Sequence, residues 1–165
     1  MTAPRVQAWL AAAENADIAR ELDAIERMIA DQVEARGPAC WMSGRCCNFD
    51  RFDHRLYTTG LEAARTVLRL TPTGPALSRA AMDAALVRGG CPFQDGNACG
   101  QHLARPTGCR VFFCDATAQD WQHDLAERAH DMVKALHERR GIPYHYAEWR
   151  SLLELFMDAE PARVI

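Results

Sequence analysis

Seven cysteines, all between positions 40 and 114, constrain the fold of this chain of 165 residues more than any other feature. They come in two groups, and glycine and proline interrupt the chain around them. The groups are Cys40, Cys46 and Cys47, and then Cys91, Cys99, Cys109 and Cys114. Clustered thiols are typical of a metal or iron–sulfur site, because thiolate is a strong ligand for zinc and for iron–sulfur clusters.

The loops around the second group favour a site at which several sulfurs converge. Pro92 follows Cys91 and Gly108 precedes Cys109, so the backbone can turn tightly around an ion. Backbone N–H groups in such loops can also donate hydrogen bonds to the sulfurs. The chain contains no Cys-x2-Cys pair, so its spacing matches neither a standard zinc finger nor a ferredoxin. The residues alone therefore predict a thiolate site of open geometry.

Composition narrows the class of protein. The length suits a single domain over residues 1–165, and a hydrophobic content of 48% is enough to form a core without a metal. A net charge of −3 gives no reason to expect nucleic acid or an anionic membrane as a partner. No apolar run approaches the roughly 20 residues of a membrane span or forms a signal-peptide core. We therefore expect a cytoplasmic protein, in which clustered cysteines favour metal binding or redox chemistry over structural disulfides.

Apolar residues at helical spacing predict helices before the first cysteine group, over residues 3–36. A short opening helix is followed by a longer one over residues 17–36. Asp17 is the expected N-cap of the longer helix, and Gly37 is expected to end it.

A second helical region is predicted after the last cysteine, over residues 118–158, with helices over residues 118–140 and from Tyr146 to Asp158. Shorter elements are predicted between the two regions: helices over 61–70 and 76–87, a weak strand over 55–59, and a hairpin joining 98–102 to 110–113. The predicted fold is mainly α, with helices framing an irregular, cysteine-rich, metal-binding centre (residues 38–114) and minor β structure.

Two arginines and a row of histidines have more than one interpretation. Arg105 and Arg110 flank Cys109, where they can offset thiolate charge or tie the loop to nearby carbonyl groups; we favour anchoring. The histidines of the late helix are spaced by seven and are expected to form a solvated face. They are His123, His130 and His137.

The cysteines and their neighbours resemble the bacterial zinc- or iron-chelating cysteine-cluster family, also called YkgJ-like. The second half of the pattern is Cys91-Pro92-Phe93, Cys99, Arg105-Pro106, Cys109-Arg110 and Phe112. The first half of the family pattern reads C-x2-C-G-x-C-C. Residues 40–47 of this chain follow it except at Ser43, where the family has a cysteine. The resemblance covers residues 38–114, and the flanking helices lie outside it.

The resemblance implies metal chelation by the cysteines, with zinc ions, iron ions or an iron–sulfur cluster as the bound species. The predicted ligands are Cys46, Cys47, Cys91, Cys99, Cys109 and Cys114, with Cys40 as a weaker candidate. His102 can supply a ligand in place of the cysteine that Ser43 replaces, and His54 can do so with less support. Cys46 and Cys47 are adjacent, so they can serve two metals, or one can bind while the other packs.

The expected function is metal binding with a role in redox chemistry or metal handling, and a protein partner is left open. An alternative is an iron–sulfur-dependent enzyme, an oxidoreductase or a protein lysine methyltransferase, because flagellin lysine methylases carry a similar cysteine cluster. A second alternative is an interaction module that zinc stabilises, which requires a closed site with four ligands.

Overall fold

The computed structural model describes residues 2–40 and 43–158. Within these residues the structure is mainly helical, with two small antiparallel sheets, and the predicted fold class is confirmed. The helices are α1 (Thr2–Glu14), α2 (Ala16–Arg36), α3 (Gly60–Leu68), α4 (Arg79–Arg88), α5 (Thr107–Arg110), α6 (Gln119–Arg140) and α7 (Trp149–Asp158). The strands are β1 (Tyr57–Thr59), β2 (Gln94–Asp95), β3 (Ala98–Cys99) and β4 (Tyr146–Glu148). Short 3-10 turns cover Arg45–Cys47, His102–Ala104 and Ala116–Ala118.

Helices α1, α2, α3, α6 and α7 form what we call the helical frame. Its core is apolar and continuous, and α2 and α6 pack along their buried faces because both carry apolar residues at helical spacing. The buried residues of these two helices include Ile18, Leu22, Ile25 and Ile29 on α2 and Leu125, Ala129, Val133 and Leu136 on α6. No helix in the described part of the chain is both long enough and apolar enough to cross a membrane.

The N-cap predicted for α2 is wrong by two residues. Asn15, not Asp17, caps the helix: its side-chain Oδ1 accepts hydrogen bonds from the N–H groups of Asp17 at 3.0 Å and Ile18 at 3.2 Å. Asp17 instead lies in the first turn and pairs with Arg20. The predicted end of the helix is confirmed, since Gly37 adopts a left-handed conformation with φ 62° that favours glycine.

Strand pairing changes the predicted start of the last helix. The predicted strand near residues 55–59 is β1, and it pairs antiparallel with β4, so that Thr59 lies opposite Tyr146. Residues 146–148 are therefore strand, and α7 begins only at Trp149. The Glu148 carboxylate accepts a hydrogen bond from the Ser151 N–H at 3.1 Å, as an N-cap does.

The hairpin in the cysteine-containing region lies at a different place from the one predicted. The hairpin joins β2 to β3, with Gln94 opposite Cys99, and not residues 98–102 to 110–113. Arg110 ends the short helix α5 and is not in a strand. The predicted helices over 61–70 and 76–87 are present as α3 and α4, shifted by up to three residues.

Candidate metal centre

Backbone hydrogen bonds bring the two cysteine groups together. The N–H of Cys91 donates to the carbonyl of Cys47 at 2.9 Å, and the N–H of Asp50 donates to the carbonyl of Gly89 at 2.9 Å. Gly90 lies between these bonds, and a Cβ at this position would be 2.9 Å from the Cys47 carbonyl oxygen. The close approach of the two chain segments therefore depends on a glycine at position 90.

Five of the seven cysteines interact with one another, and we call them the five-thiol cluster: Cys46, Cys47, Cys91, Cys99 and Cys109. The Sγ atoms of Cys46 and Cys47 are 4.0 Å apart. The Cys47 thiol interacts with the side chains of Cys46, Cys91 and Cys99. Cys109 interacts electrostatically with Cys91, Cys99 and Cys46. Adjacent residues 46 and 47 thus contribute to one cluster with thiols that are distant in sequence.

The thiols of the cluster differ in their affinity for protons. Contact with the Cys47 side chain lowers the pKa of Cys46 to about 7 and the pKa of Cys99 to about 6. The same contacts raise the pKa of Cys47, Cys46 being the largest cause. Burial raises the pKa of Cys109, and the charges of Cys91, Cys99 and Cys46 raise it further, while the charge of Arg105 lowers it. A positive ion at this place would relieve the repulsion between thiolates.

Donors from the loops face the sulfurs. After the contact with Cys47, the backbone N–H of Phe93 lowers the pKa of Cys91, and the N–H of Gln101 lowers the pKa of Cys99. Backbone N–H groups directed at sulfur stabilise the thiolate form and are common around metal–thiolate sites. The loops expected from the sequence thus present the kind of donor that was predicted.

Both arginines anchor the loop, as the favoured interpretation predicted. Arg105 Nε donates to the His102 carbonyl at 2.8 Å, and Arg110 Nε donates to the Arg105 carbonyl at 2.9 Å. Arg110 also forms an ion pair with Glu26 at 3.3 Å, which ties the loop to α2. The charge of Arg105 contributes to the lowered pKa of Cys99, so this residue both anchors the loop and offsets thiolate charge.

Trp149 is a neighbour of the cluster that no sequence pattern indicated. Its side chain is buried, packs against Phe93 with ring centroids 6.2 Å apart, and follows directly on β4. The indole Nε1 atom meets no partner in hydrogen-bonding geometry. It lies near enough to Cys91 to help lower the pKa of that thiol. A buried N–H near a sulfur fits an electron-rich thiolate better than a neutral thiol.

The described contacts of Cys114 and Cys40 are with residues other than the five thiols. The Sγ atom of Cys114 shares a hydrogen bond with Ser43 Oγ at 3.3 Å. Cys40 is exposed, and the neighbouring Ala39 N–H donates to Asp115 at 3.1 Å. The predicted ligation by Cys114 and Cys40 gains no support from these contacts and stays a prediction.

The histidines do not supplement the thiols in the described contacts. His102 is exposed, and His54 packs between the rings of Phe49 and Phe112 at 5.7 and 4.6 Å. On α6, His137 is fully buried, with its Nδ1 atom 3.3 Å from the Ile142 carbonyl. The prediction of a solvated histidine face is therefore wrong at His137, because the segment after α6 packs on this side chain, with the Tyr144 ring centroid 5.3 Å away.

The thiols are close together without forming a finished coordination site. Among residues 2–40 and 43–158, no group of three or more His, Cys, Asp or Glu side chains is arranged to hold a metal ion. The separation of 4.0 Å between the Cys46 and Cys47 sulfurs is near the value for two ligands of one zinc. Tetrahedral geometry with a zinc–sulfur bond of about 2.3 Å places two sulfurs about 3.8 Å apart.

No family model, no curated protein and no solved structure matches this chain.

Proposed function

We propose that this chain is a metal-binding protein whose five-thiol cluster holds zinc, iron or an iron–sulfur cluster. The main support is the meeting of thiols from three separate parts of the chain: the turn at Cys46 and Cys47, the β2–β3 hairpin region, and α5. Unligated thiols pack well as single small apolar groups, and packing alone does not explain why five of them gather. Metal ligation explains it directly.

The surroundings of the cluster fit a bound metal in two further respects. The donors are all sulfur, which suits zinc and iron–sulfur clusters and is a poor match for magnesium or calcium. The unpaired N–H of Trp149 and the backbone donors of Phe93 and Gln101 can stabilise coordinated thiolates. A bound metal would supply positive charge and, if it is iron, electron transfer at this position.

The proposed role is redox chemistry or metal handling in the cytoplasm. The enzymatic alternative needs a substrate cavity beside the metal. Three cavities in the described residues are lined by side chains of the helical frame and of the loops, and no cysteine lines any of them. We therefore place metal binding ahead of catalysis.

Purification without oxygen, followed by metal analysis and an optical spectrum, tests the proposal. A brown protein with absorption near the violet end of the visible range would identify an iron–sulfur cluster. A colourless protein containing stoichiometric zinc would identify a zinc site. Protein that contains neither metal, and that binds neither after reduction and reconstitution, would contradict the proposal.

A matched pair of substitutions separates a specific site from adventitious binding. Cys91→Ser is expected to abolish metal retention, because Cys91 contacts Cys47 at the middle of the cluster. Cys40→Ser changes an exposed thiol and is expected to retain the metal. Serine variants of the other four cluster thiols identify the ligands, since one zinc or one four-iron cluster takes four thiolates. Equal metal content in Cys91→Ser and Cys40→Ser would rule out the proposed site.

A further inference from the structure

A second candidate site lies at the paired strands, and it was not indicated by any sequence motif. A cavity of about 60 Å³ is lined by Tyr57 of β1, Tyr146 of β4, His130 of α6 and Glu62 of α3. One water needs about 10–15 Å³ of such volume, so the cavity has room for a small organic group. Gly108 completes part of the lining, next to Cys109 in the chain, but no cysteine side chain lines the cavity.

Aromatic rings form the wall at the mouth of this cavity. The ring centroids of Tyr57 and Tyr146 are 5.9 Å apart, and that of His130 is 4.4 Å from Tyr146. The antiparallel register places Tyr146 opposite Thr59 and thus diagonal to Tyr57, so both tyrosines lie on the same face of the sheet. Tyr57 is 47% exposed and Tyr146 is 45% exposed, which leaves their rings accessible to a ligand from solvent.

A single buried carboxylate provides the charge of the cavity. Glu62 is 4% exposed, and its two oxygens accept five hydrogen bonds. The donors are the hydroxyl of Thr58, the hydroxyl and N–H of Thr59, and the hydroxyl and N–H of Thr107. Donors alone surround an ionised carboxylate, because it can only accept. No cationic side chain forms an ion pair with Glu62 in the described part of the chain.

The negative charge of Glu62 acts on the tyrosine side chains near the cavity. Burial, and then the charge of Glu62, raises the pKa of Tyr146 and of the neighbouring Tyr144. A cation in the cavity would face both the carboxylate and the electron-rich ring faces, which attract cations. The cavity therefore has the electrostatics of a cation site.

We propose that this cavity binds a quaternary ammonium group. A carboxylate offers about four lone-pair positions, and the five donors to Glu62 already occupy them. A primary ammonium would find no free acceptor on the Glu62 carboxylate for its N–H groups. A quaternary ammonium has no N–H, and its methyl groups can contact the rings and Ala129 of α6 while its charge faces Glu62.

Titration of the purified full chain with three small alcohols that differ only in their terminal group tests this proposal, at constant ionic strength, by calorimetry and by NMR of the tyrosine and histidine rings. The probes are choline, its neutral analogue 3,3-dimethylbutan-1-ol, and ethanolamine, which carries a primary ammonium. Choline is expected to bind saturably and at least tenfold more tightly than either of the others. Equal affinity for the neutral alcohol would show a merely apolar cavity and would overturn the proposal, as would the absence of saturable choline binding.

Substitutions at the mouth locate the bound cation. Tyr57→Leu and Tyr146→Leu are each expected to weaken choline binding at least threefold, because each removes a ring face from the site. Phe52→Leu is the control, since it removes an aromatic ring that does not line the cavity. Glu62→Gln is expected to abolish the preference for choline over the neutral alcohol, with circular dichroism to confirm that α3 persists. Unchanged choline affinity in both tyrosine variants would place the cation elsewhere and refute the proposal.

Discussion

Trp9 and Trp149 are both buried, but their indole N–H groups differ in whether they find a partner within the protein. Trp9 lies in the helical frame, where its Nε1 donates to the Pro143 carbonyl at 2.7 Å and its ring covers Gly60. The indole N–H of Trp149, at the start of α7, has no such carbonyl and lies near Cys91. The end of the frame beside the thiols thus leaves a buried donor without a protein partner, whereas the end around Trp9 does not. The proposed metal would act on the thiol region and not on the core of the frame, and the following experiments address this difference.

Removal of the proposed metal should produce the largest difference between the two regions. A strong chelator under anaerobic, reducing conditions is expected to lower amide-exchange protection by more than a hundredfold across residues 89–111, because metal binding supplies folding free energy to loops with few regular hydrogen bonds. Helices α2 and α6 should keep their protection. Hydrogen exchange with mass spectrometry measures both, and equal loss in the two regions would remove the distinction.

Truncating a buried side chain of the helical frame should lower the free energy of unfolding without changing the metal content. Leu136→Ala truncates a fully buried side chain of α6 and is expected to lower the free energy of unfolding by about 2–5 kcal/mol. Leu103→Ala is the control, since Leu103 is 72% exposed, and its effect should stay within about 0.5 kcal/mol. Urea denaturation gives both values. If folded Leu136→Ala contains less metal than the unchanged protein, the frame and the thiol region are coupled, contrary to our expectation.

Replacing each of the two tryptophans with phenylalanine tests whether the Trp149 N–H supports metal binding. Trp149→Phe keeps most of the buried ring but removes the N–H near Cys91, and metal affinity is expected to fall about tenfold to a hundredfold, as for other outer-shell donors. Trp9→Phe removes the hydrogen bond to Pro143 and should lower stability while leaving metal affinity unchanged. Competition with a chromogenic chelator measures the affinity. The same affinity in both variants would mean that the Trp149 N–H does not serve the site.

The helix cap provides the smallest expected effect. Asn15→Ala removes the side chain that caps α2 and is expected to lower the free energy of unfolding by about 1 kcal/mol. Asp17→Ala, at the position that the sequence pattern indicated, should have a smaller effect because Asp17 makes an exposed ion pair with Arg20. Thermal denaturation of the two variants compares them. A larger loss for Asp17→Ala would support the original assignment of the cap.

The elements predicted best are those whose pattern is local. The helices α2 and α6 follow from apolar residues three and four positions apart, and Gly37 and Gly89 end α2 and α4 because both adopt the left-handed conformation. Strand β4 was mistaken for helix because its partner β1 is distant in sequence, and a three-residue strand has no reliable pattern of its own. The Glu62 cavity was not predicted for the same reason, because its lining residues are distant in sequence. The capping box between Thr59 and Glu62 is nevertheless visible in the sequence.

The sequence by itself determined that the protein is mainly helical and that its cysteines are confined to the segment between two helical regions. Local periodicity, capping residues and glycines carry that information, because they act over a few neighbouring residues. Only the tertiary structure decided that Cys47 contacts Cys46, Cys91 and Cys99, and that Cys114 contacts Ser43. It also decided that Trp149 lies near Cys91 and that Glu62 lines a cavity with two tyrosines. These relations depend on contacts between distant segments, which no local pattern encodes.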